Sequence, residues 1–366
     1  MAYLYVILSF LSLSLWAQTP VLRSRASDID GFPASAMCFF SNNEMGIHQA
    51  ELVLHFTCVG EDLHDELWIG SRQLIHSSSG RLFNTAISDG THVFVTEYDE
   101  FSTRVLWKIE NEKTTAFELP AAWGDVQIHS VVSRGHDHIL FTMTDSQGLN
   151  VQGEWCSGEW RINTSRGVSY FFDAAASDQL ITQKVRLGAP REWSEERPDA
   201  IEISLAPNFI PQIVVRDQQS DPQSPYLGFY NFTVVNASRW AVFAKTERGP
   251  VAIVGYRLNW REIPLYSFFS SVDFWPPAIT ESGKFVLRAK HNDGTYGLWI
   301  FENEQPRLLL KAGDQVHTDR GLGQMSDTLF YNAPMAFRES VFIGVGLEQN
   351  ASRESLGQGI IEFSLR

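Results

Sequence analysis

Pro306-Arg307-Leu308-Leu309-Leu310-Lys311-Ala312-Gly313-Asp314 has an echo near the start of the chain, Pro20-Val21-Leu22-Arg23-Ser24-Arg25-Ala26-Ser27-Asp28. The later copy reads as an edge-type strand with its turn, the last strand of a repeated unit. The earlier copy stands where no unit precedes it. At the other end, Gly359-Ile360-Ile361-Glu362-Phe363-Ser364-Leu365-Arg366 supplies a strand with no edge strand after it. A spare strand at one end and a missing one at the other predict a ring closed by the N-terminal strand. Such pairing removes two open strand edges together.

The repeat itself carries the ring. Strongly apolar strands recur at Leu52-Val53-Leu54, Val93-Phe94-Val95, Ile139-Leu140-Phe141, Leu180-Ile181, Trp240-Ala241-Val242-Phe243, Phe285-Val286-Leu287 and Val341-Phe342-Ile343. Their starts lie 41 to 60 residues apart, near the length of a four-stranded propeller blade. Each is followed by a second strand of similar character, such as Leu67-Trp68-Ile69-Gly70 or Val105-Leu106-Trp107-Lys108-Ile109. An edge-like third follows in most units, as at Gln73-Leu74-Ile75-His76 and Ile213-Val214-Val215-Arg216. A strand of small residues precedes each strongly apolar strand, as at Ala86-Ile87-Ser88 and Ala278-Ile279-Thr280; small side chains suit the crowded axis of a ring. Seven such units predict an all-β, seven-bladed β-propeller over residues 18–366, with six or eight blades as the alternatives.

Composition agrees with strands. Aromatic residues make up 13% of the chain, and aromatic and β-branched side chains pack well on a pleated, half-buried surface. A net charge of -14 and the lack of a basic footprint exclude nucleic-acid binding.

The stretch from Thr280 to Gly313 resembles the tandem repeat of uncharacterised secreted bacterial propellers and, more loosely, the TolB-like propeller repeat. Glu281-Ser282-Gly283-Lys284-Phe285-Val286, Asp293-Gly294-Thr295-Tyr296-Gly297-Leu298-Trp299-Ile300 and Leu309-Leu310-Lys311-Ala312-Gly313-Asp314 carry the likeness. It implies a fold and an exported setting, and no chemistry.

Residues 1–17 read as a signal peptide. The apolar run from Leu4 to Leu15 is too short to span a bilayer, and Leu15-Trp16-Ala17 before Gln18 offers a cleavage point. No later segment reaches the roughly 20 apolar residues a membrane helix needs. The expectation is a periplasmic or extracellular monomer with no membrane insertion after signal removal. Export permits disulfides. Cys38 and Cys58 fall on adjacent strands of one hairpin, so they either pair or remain buried thiols, with Cys156 left as a small buried hydrophobe.

A binding site on such a ring belongs at a mouth of the central channel, lined by the loops entering the innermost strands. Aligning the seven units puts Pro33, Asn84, His129, Asp173, Asn231, Trp275 and Tyr331 at equivalent positions, with Asn332 beside the last. Polar groups and aromatic walls converging there describe a small-ligand or glycan site; polar residues also simply fill a wet channel. His136-Asp137-His138 offers two imidazoles but no third ligand, so no metal is expected. Asp145-Ser146-Gln147-Gly148 and Asn292-Asp293-Gly294-Thr295 read as turns. No calcium loop or nucleophile elbow occurs, and no cofactor is implied. Gly188–Pro198 and Val316–Asp327 read as the longest irregular segments, the second on the channel-mouth face.

The expected function is therefore non-enzymatic: binding a protein partner or a cell-surface carbohydrate through the mouth loops. Two alternatives stand beside it. One is a glycan-active hydrolase or lyase using Asp173 and His129; the other is an envelope assembly scaffold.

Overall fold

A computed structural model describes residues 21–25 and 37–365, apart from 49–50, 60–62, 70–71, 78–80, 89–91, 100–101, 111–112, 134–137, 147–149, 164–168, 178, 188–199, 209, 274, 319–320, 331–332 and 350–354. The expected signal peptide, Pro33, His136, Asp137, Tyr331, Asn332 and Gly188–Pro198 lie outside these residues. Among the described residues, no helix is long and apolar enough to cross a membrane.

Seven sheets, antiparallel apart from one parallel pair in the seventh, make up the described chain. Their innermost strands touch those of the neighbouring blades, so the sheets radiate from a common axis. Blade one runs through Met37–His48, Glu51–Val59, Leu63–Ile69 and Arg72–His76. Blade two uses Leu82–Ser88, His92–Asp99, Ser102–Glu110 and Lys113–Glu118, and blade three Gln127–Ser133, His138–Thr144, Asn150–Cys156 and Glu159–Asn163. Blade four comprises Ser169–Ala176, Leu180–Leu187, Ala200–Leu205 and Ile210–Arg216; blade five comprises Tyr226–Asn236, Arg239–Thr246, Gly249–Tyr256 and Asn259–Ile263. Blade six has Phe269–Val272 with Ala278–Ile279, then Phe285–His291, Tyr296–Glu302 and Gln305–Lys311; blade seven has Gly321–Phe330 with Met335–Phe337, then Ser340–Gln349 and Ser355–Ser364. Every apolar run singled out in the sequence forms the second strand of its blade.

The ring closes as the end strands predict. Val21–Arg25 is the outer strand of blade seven, antiparallel to Ser355–Ser364, with Val21 opposite Glu362 and Arg25 opposite Gly359. The segment expected to be irregular between blades six and seven is instead a hairpin of Gln315–Thr318 and Gly321–Phe330. Gln315–Thr318 also pairs in parallel with the N-terminal strand, Val21 opposite His317. Backbone groups carried past a closing strand must find partners, and this hairpin supplies them.

The core lies between blades. Ala241, Phe243 and Val254 of blade five pack on Phe285, Leu287 and Trp299 of blade six. Val286, Leu298 and Ile300 meet Val341, Ile343 and Ile361 of blade seven. The second strand of blade five is apolar on both faces because each face meets a different neighbour: Trp240 and Val242 pack toward blade four, Ala241 and Phe243 toward blade six. On the face opposite the channel mouth, Asn236 donates to the carbonyls of Ile279 (2.9 Å) and Arg338 (3.3 Å), tying blades five, six and seven.

Cys38 and Cys58 are directly opposed across the first hairpin. Cys58 is disulfide-bonded and Cys156 is free, which leaves Cys38 as the partner. Cys156 is half-exposed at the Ser157-Gly158 turn, not the buried hydrophobe expected, because the third strand of blade three ends there.

Candidate functional site

The inner strands share a feature that pairing alone reveals. Each has a register shift partway along: Phe40/Met45, Asn84/Ile87, Ile128/Ser130, Phe171/Asp173, Phe229/Thr233 and Met325/Phe330. In blade six the inner strand is split into Phe269–Val272 and Ala278–Ile279. Asn84, His129, Asp173 and Asn231 all sit at or inside such a shift, and Trp275 sits in the split. Bulges bend a strand and re-aim its side chains, and are common beside binding sites. Four of the aligned residues, Asn84, His129, Asp173 and Asn231, thus fall at a bulge of their own inner strand.

Trp275, in the split of blade six, packs against the second strand of its blade. The Arg288 guanidinium lies over its ring, 5.6 Å from the centroid. Arg288 Nη2 is 3.1 Å from Asp273 Oδ2 and donates to Tyr296 Oη at 3.3 Å, and the Tyr296 hydroxyl donates to Asp273. This knot ties the split inner strand to the second and third strands of its blade. Burial, reinforced by Asp273, raises the Tyr296 pKa above its ordinary value. Burial does the same at Tyr226, helped by Glu262. A raised folded pKa means that the unfolded chain releases its phenolic protons first. The associated stability is intact below about pH 10 and is lost as pH rises beyond it. Thermal melts at pH 9 and 11 are expected to show a fall in Tm that Tyr296→Phe makes shallower; an equal fall in the variant contradicts the assignment.

Among the described residues, a concavity on the channel-mouth face lies between blades two and three. It is a cleft of about 350 Å³ lined by Asp99, Ser102, Arg104, Asp125, Gln127, Thr144, Asp145 and Ser146. Three chain segments build it: the second-to-third hairpin of blade two, the approach to the inner strand of blade three, and that blade's own hairpin. Arg104 Nε lies 3.0 and 2.9 Å from the two Asp99 oxygens, and Nη2 donates to Asp125 at 3.3 Å. Asp99 accordingly raises the guanidinium pKa. The two carboxylates hold the guanidinium plane in one orientation.

The walls are fixed from behind. The Thr103 backbone N–H donates to Val126 O at 2.7 Å, and Ile128 N–H donates to the Thr103 hydroxyl at 3.0 Å. Gly124 turns the chain at φ 68°, where a Cβ would lie 3.4 Å from that of Ser146. Asp145 and Ser146, read from sequence as a turn, form one wall. None of the aligned channel residues lines this cleft. Sequence reasoning missed it because the Asp99–Arg104 hairpin, Asp125 and Asp145 belong to three segments that no short motif spans.

His138, the described member of the two-imidazole segment, has Nε2 3.1 Å from Glu154 Oε2, on the opposite face of the ring. Buried polar residues on the second strands also escaped the sequence reading. His55 lies 3.0 Å from Asp65, both almost fully buried. Lys184, fully buried and opposite Asp173 in register, donates from Nζ to Tyr230 O of the next blade at 2.9 Å.

Solved structures of the same architecture include an oligogalacturonate lyase from Vibrio parahaemolyticus. It is 10% identical over 90% of this chain and 91% of that one, with a TM-score of 0.52. The β-propeller domain of the Trilobed protease from Pyrococcus furiosus, described as having an open velcro topology, is 11% identical over 90% and 96%, also at 0.52. A Pyrococcus horikoshii acylaminoacyl peptidase is 11% identical over 90% of this chain and 52% of its own, at 0.50. The shared property is the propeller. No protein-family model matches the chain, and no curated protein sequence does, so the TolB-like resemblance adds no more than that fold. Identities this low transfer no chemistry.

Proposed function

We propose that this chain is an exported, non-catalytic propeller that binds carbohydrate in the cleft between blades two and three. The cleft lining carries the reading: it consists of hydrogen-bonding side chains alone, carboxylate, guanidinium, amide and hydroxyl. Vicinal hydroxyls of a sugar donate to a carboxylate and accept from a guanidinium in parallel pairs, which matches a fixed Asp99–Arg104–Asp125 array. The volume lies within the range of small-ligand sites. The disulfide at Cys58 supports export, since such bonds persist in oxidising compartments.

A glycan array followed by calorimetry of the best ligand tests it. Arg104→Ala is expected to weaken binding about 10-fold, the scale of one charged hydrogen bond, without changing the near-ultraviolet dichroism. An array with no binder, or an Arg104→Ala protein that binds as wild type, overturns the proposal. Stoichiometric capture of an envelope protein with an empty array supports the scaffold alternative instead.

A second reading, catalysis on a glycan, draws on blade four. Asp173 sits in the inner-strand bulge opposite the buried Lys184, and His129 sits in the bulge of the adjacent blade. Asp173→Asn is then expected to abolish turnover of oligosaccharides; turnover unchanged by that substitution removes the pair from consideration.

A further inference from the structure

Cys58, His64 and Glu66 each place one donor atom within 4.8 Å of the others. The arrangement follows from strand geometry. Cys58 closes the second strand of blade one and His64 stands directly opposite it on the third, so their side chains share a face. Glu66 follows His64 at the two-residue period and shares that face too. Cys38 is directly opposite Cys58 on the inner strand, so three strands present Cys38, Cys58 and His64 in one cross-strand row.

The surroundings suit a bound ion. Glu66 is oriented from two sides: His64 Nε2 lies 3.3 Å from Oε1, and the Trp68 indole N–H donates to Oε2 at 2.9 Å. Cys58 is fully buried and Glu66 nearly so, while His64 is 28% exposed and opens the cluster to solvent. Thiolate, imidazole and carboxylate form the donor set of a tetrahedral zinc site, with metal–ligand bonds of about 2.0–2.3 Å. In the disulfide form the Cys58 sulfur is not a thiolate, and the set is incomplete.

We propose that Cys58, His64 and Glu66, with Cys38, form a divalent-metal site that is closed by the disulfide and opened by its reduction. A dithiol reductant transfers two electrons and two protons to the Cys38–Cys58 bond, which breaks to two thiols as the reductant forms its own disulfide. A zinc-type ion then binds the two sulfurs as thiolates, releasing their protons to solvent, together with the His64 ring nitrogen and a Glu66 oxygen. The site is separate from the carbohydrate cleft, so neither proposal depends on the other.

Cobalt(II) titration of the full chain tests the site. The oxidised protein is expected to show no thiolate-to-metal charge-transfer band. Protein reduced with a phosphine and freed of excess reagent is expected to bind one ion with that band. Cys38→Ser, which leaves the Cys58 thiol unpaired without any reductant, is expected to bind with the same band more weakly. In the reduced state His64→Ala and Glu66→Gln are each expected to lose at least about 10-fold in affinity, and Trp68→Phe about 10-fold through its hold on Glu66. Zinc competition against a chromogenic chelator gives the affinities, with near-ultraviolet dichroism confirming the fold of each variant. Equal binding by oxidised and reduced protein overturns the proposal. So does reduced binding that His64→Ala and Glu66→Gln leave unchanged, or a reduced chain that binds no better than Cys38→Ser/Cys58→Ser.

Discussion

Deleting residues 18–28 is expected to destabilise the whole ring by about 4–6 kcal/mol, at roughly 1 kcal/mol for each lost backbone hydrogen bond and for the apolar surface uncovered. The strand removed, Val21–Arg25, serves two ladders. It pairs antiparallel with Ser355–Ser364 and in parallel with Gln315–Thr318. Its loss leaves both as open edges beside Ile360, Ile361 and Phe363, which are almost fully buried in the intact ring. Domains of this kind have only about 5–15 kcal/mol of total stability. A Tm drop of roughly 8–12 °C is expected, with aggregation through the new edges. A chain beginning at Gln18 is the control and is expected to melt as the full chain does. A deletion that melts at the control temperature contradicts the closure.

Gly255→Ala is expected to cost about 2–3 kcal/mol, a large effect for one methyl group. Trp240 and Gly255 are cross-strand partners in blade five, and the indole lies flat over the glycine. A Cβ there would come within 2.0 Å of the ring. Trp240 is fully buried, and its indole N–H donates to Arg257 O at 2.8 Å, so the ring has nowhere to retreat. Trp240→Ala alone is expected to cost about 3–5 kcal/mol. In that background Gly255→Ala is expected to cost under about 0.5 kcal/mol, because the clash is gone. Urea denaturation of the four proteins measures the coupling, and simple additivity refutes it. Blade three repeats the device, with Phe141 over Gly153 and a would-be Cβ 2.1 Å from the ring.

Much of this architecture was legible because a propeller writes its period into the chain. Each blade must bury both faces of its middle strands against neighbours, so apolar runs such as Trp240–Phe243 and Phe285–Leu287 recur once per blade. The closing strand was legible for the same reason: Val21–Ala26 carries the pattern of an outer strand without a blade of its own. The hairpin at Gln315–Phe330 was not. Its Gly321-Leu322-Gly323 and His317-Thr318 have loop composition, and they pair because the closing strand and the second strand of blade seven lie on either side of them.

The candidate sites divide along the same line. Asn84, His129, Asp173, Asn231 and Trp275 could be aligned because each inner strand recurs at the same place in its repeat. The cleft around Arg104 and the row of Cys58, His64 and Glu66 could not. The cleft joins side chains from two blades, and the row depends on a hairpin register in which a slip of one residue would turn His64 and Glu66 to the other face. Sequence by itself determined the number of blades, the order of strands within them and the strand that closes the ring, since these follow from periodic burial along one chain. Tertiary structure alone decided which polar groups meet, because neighbouring blades bring together residues that no local pattern relates.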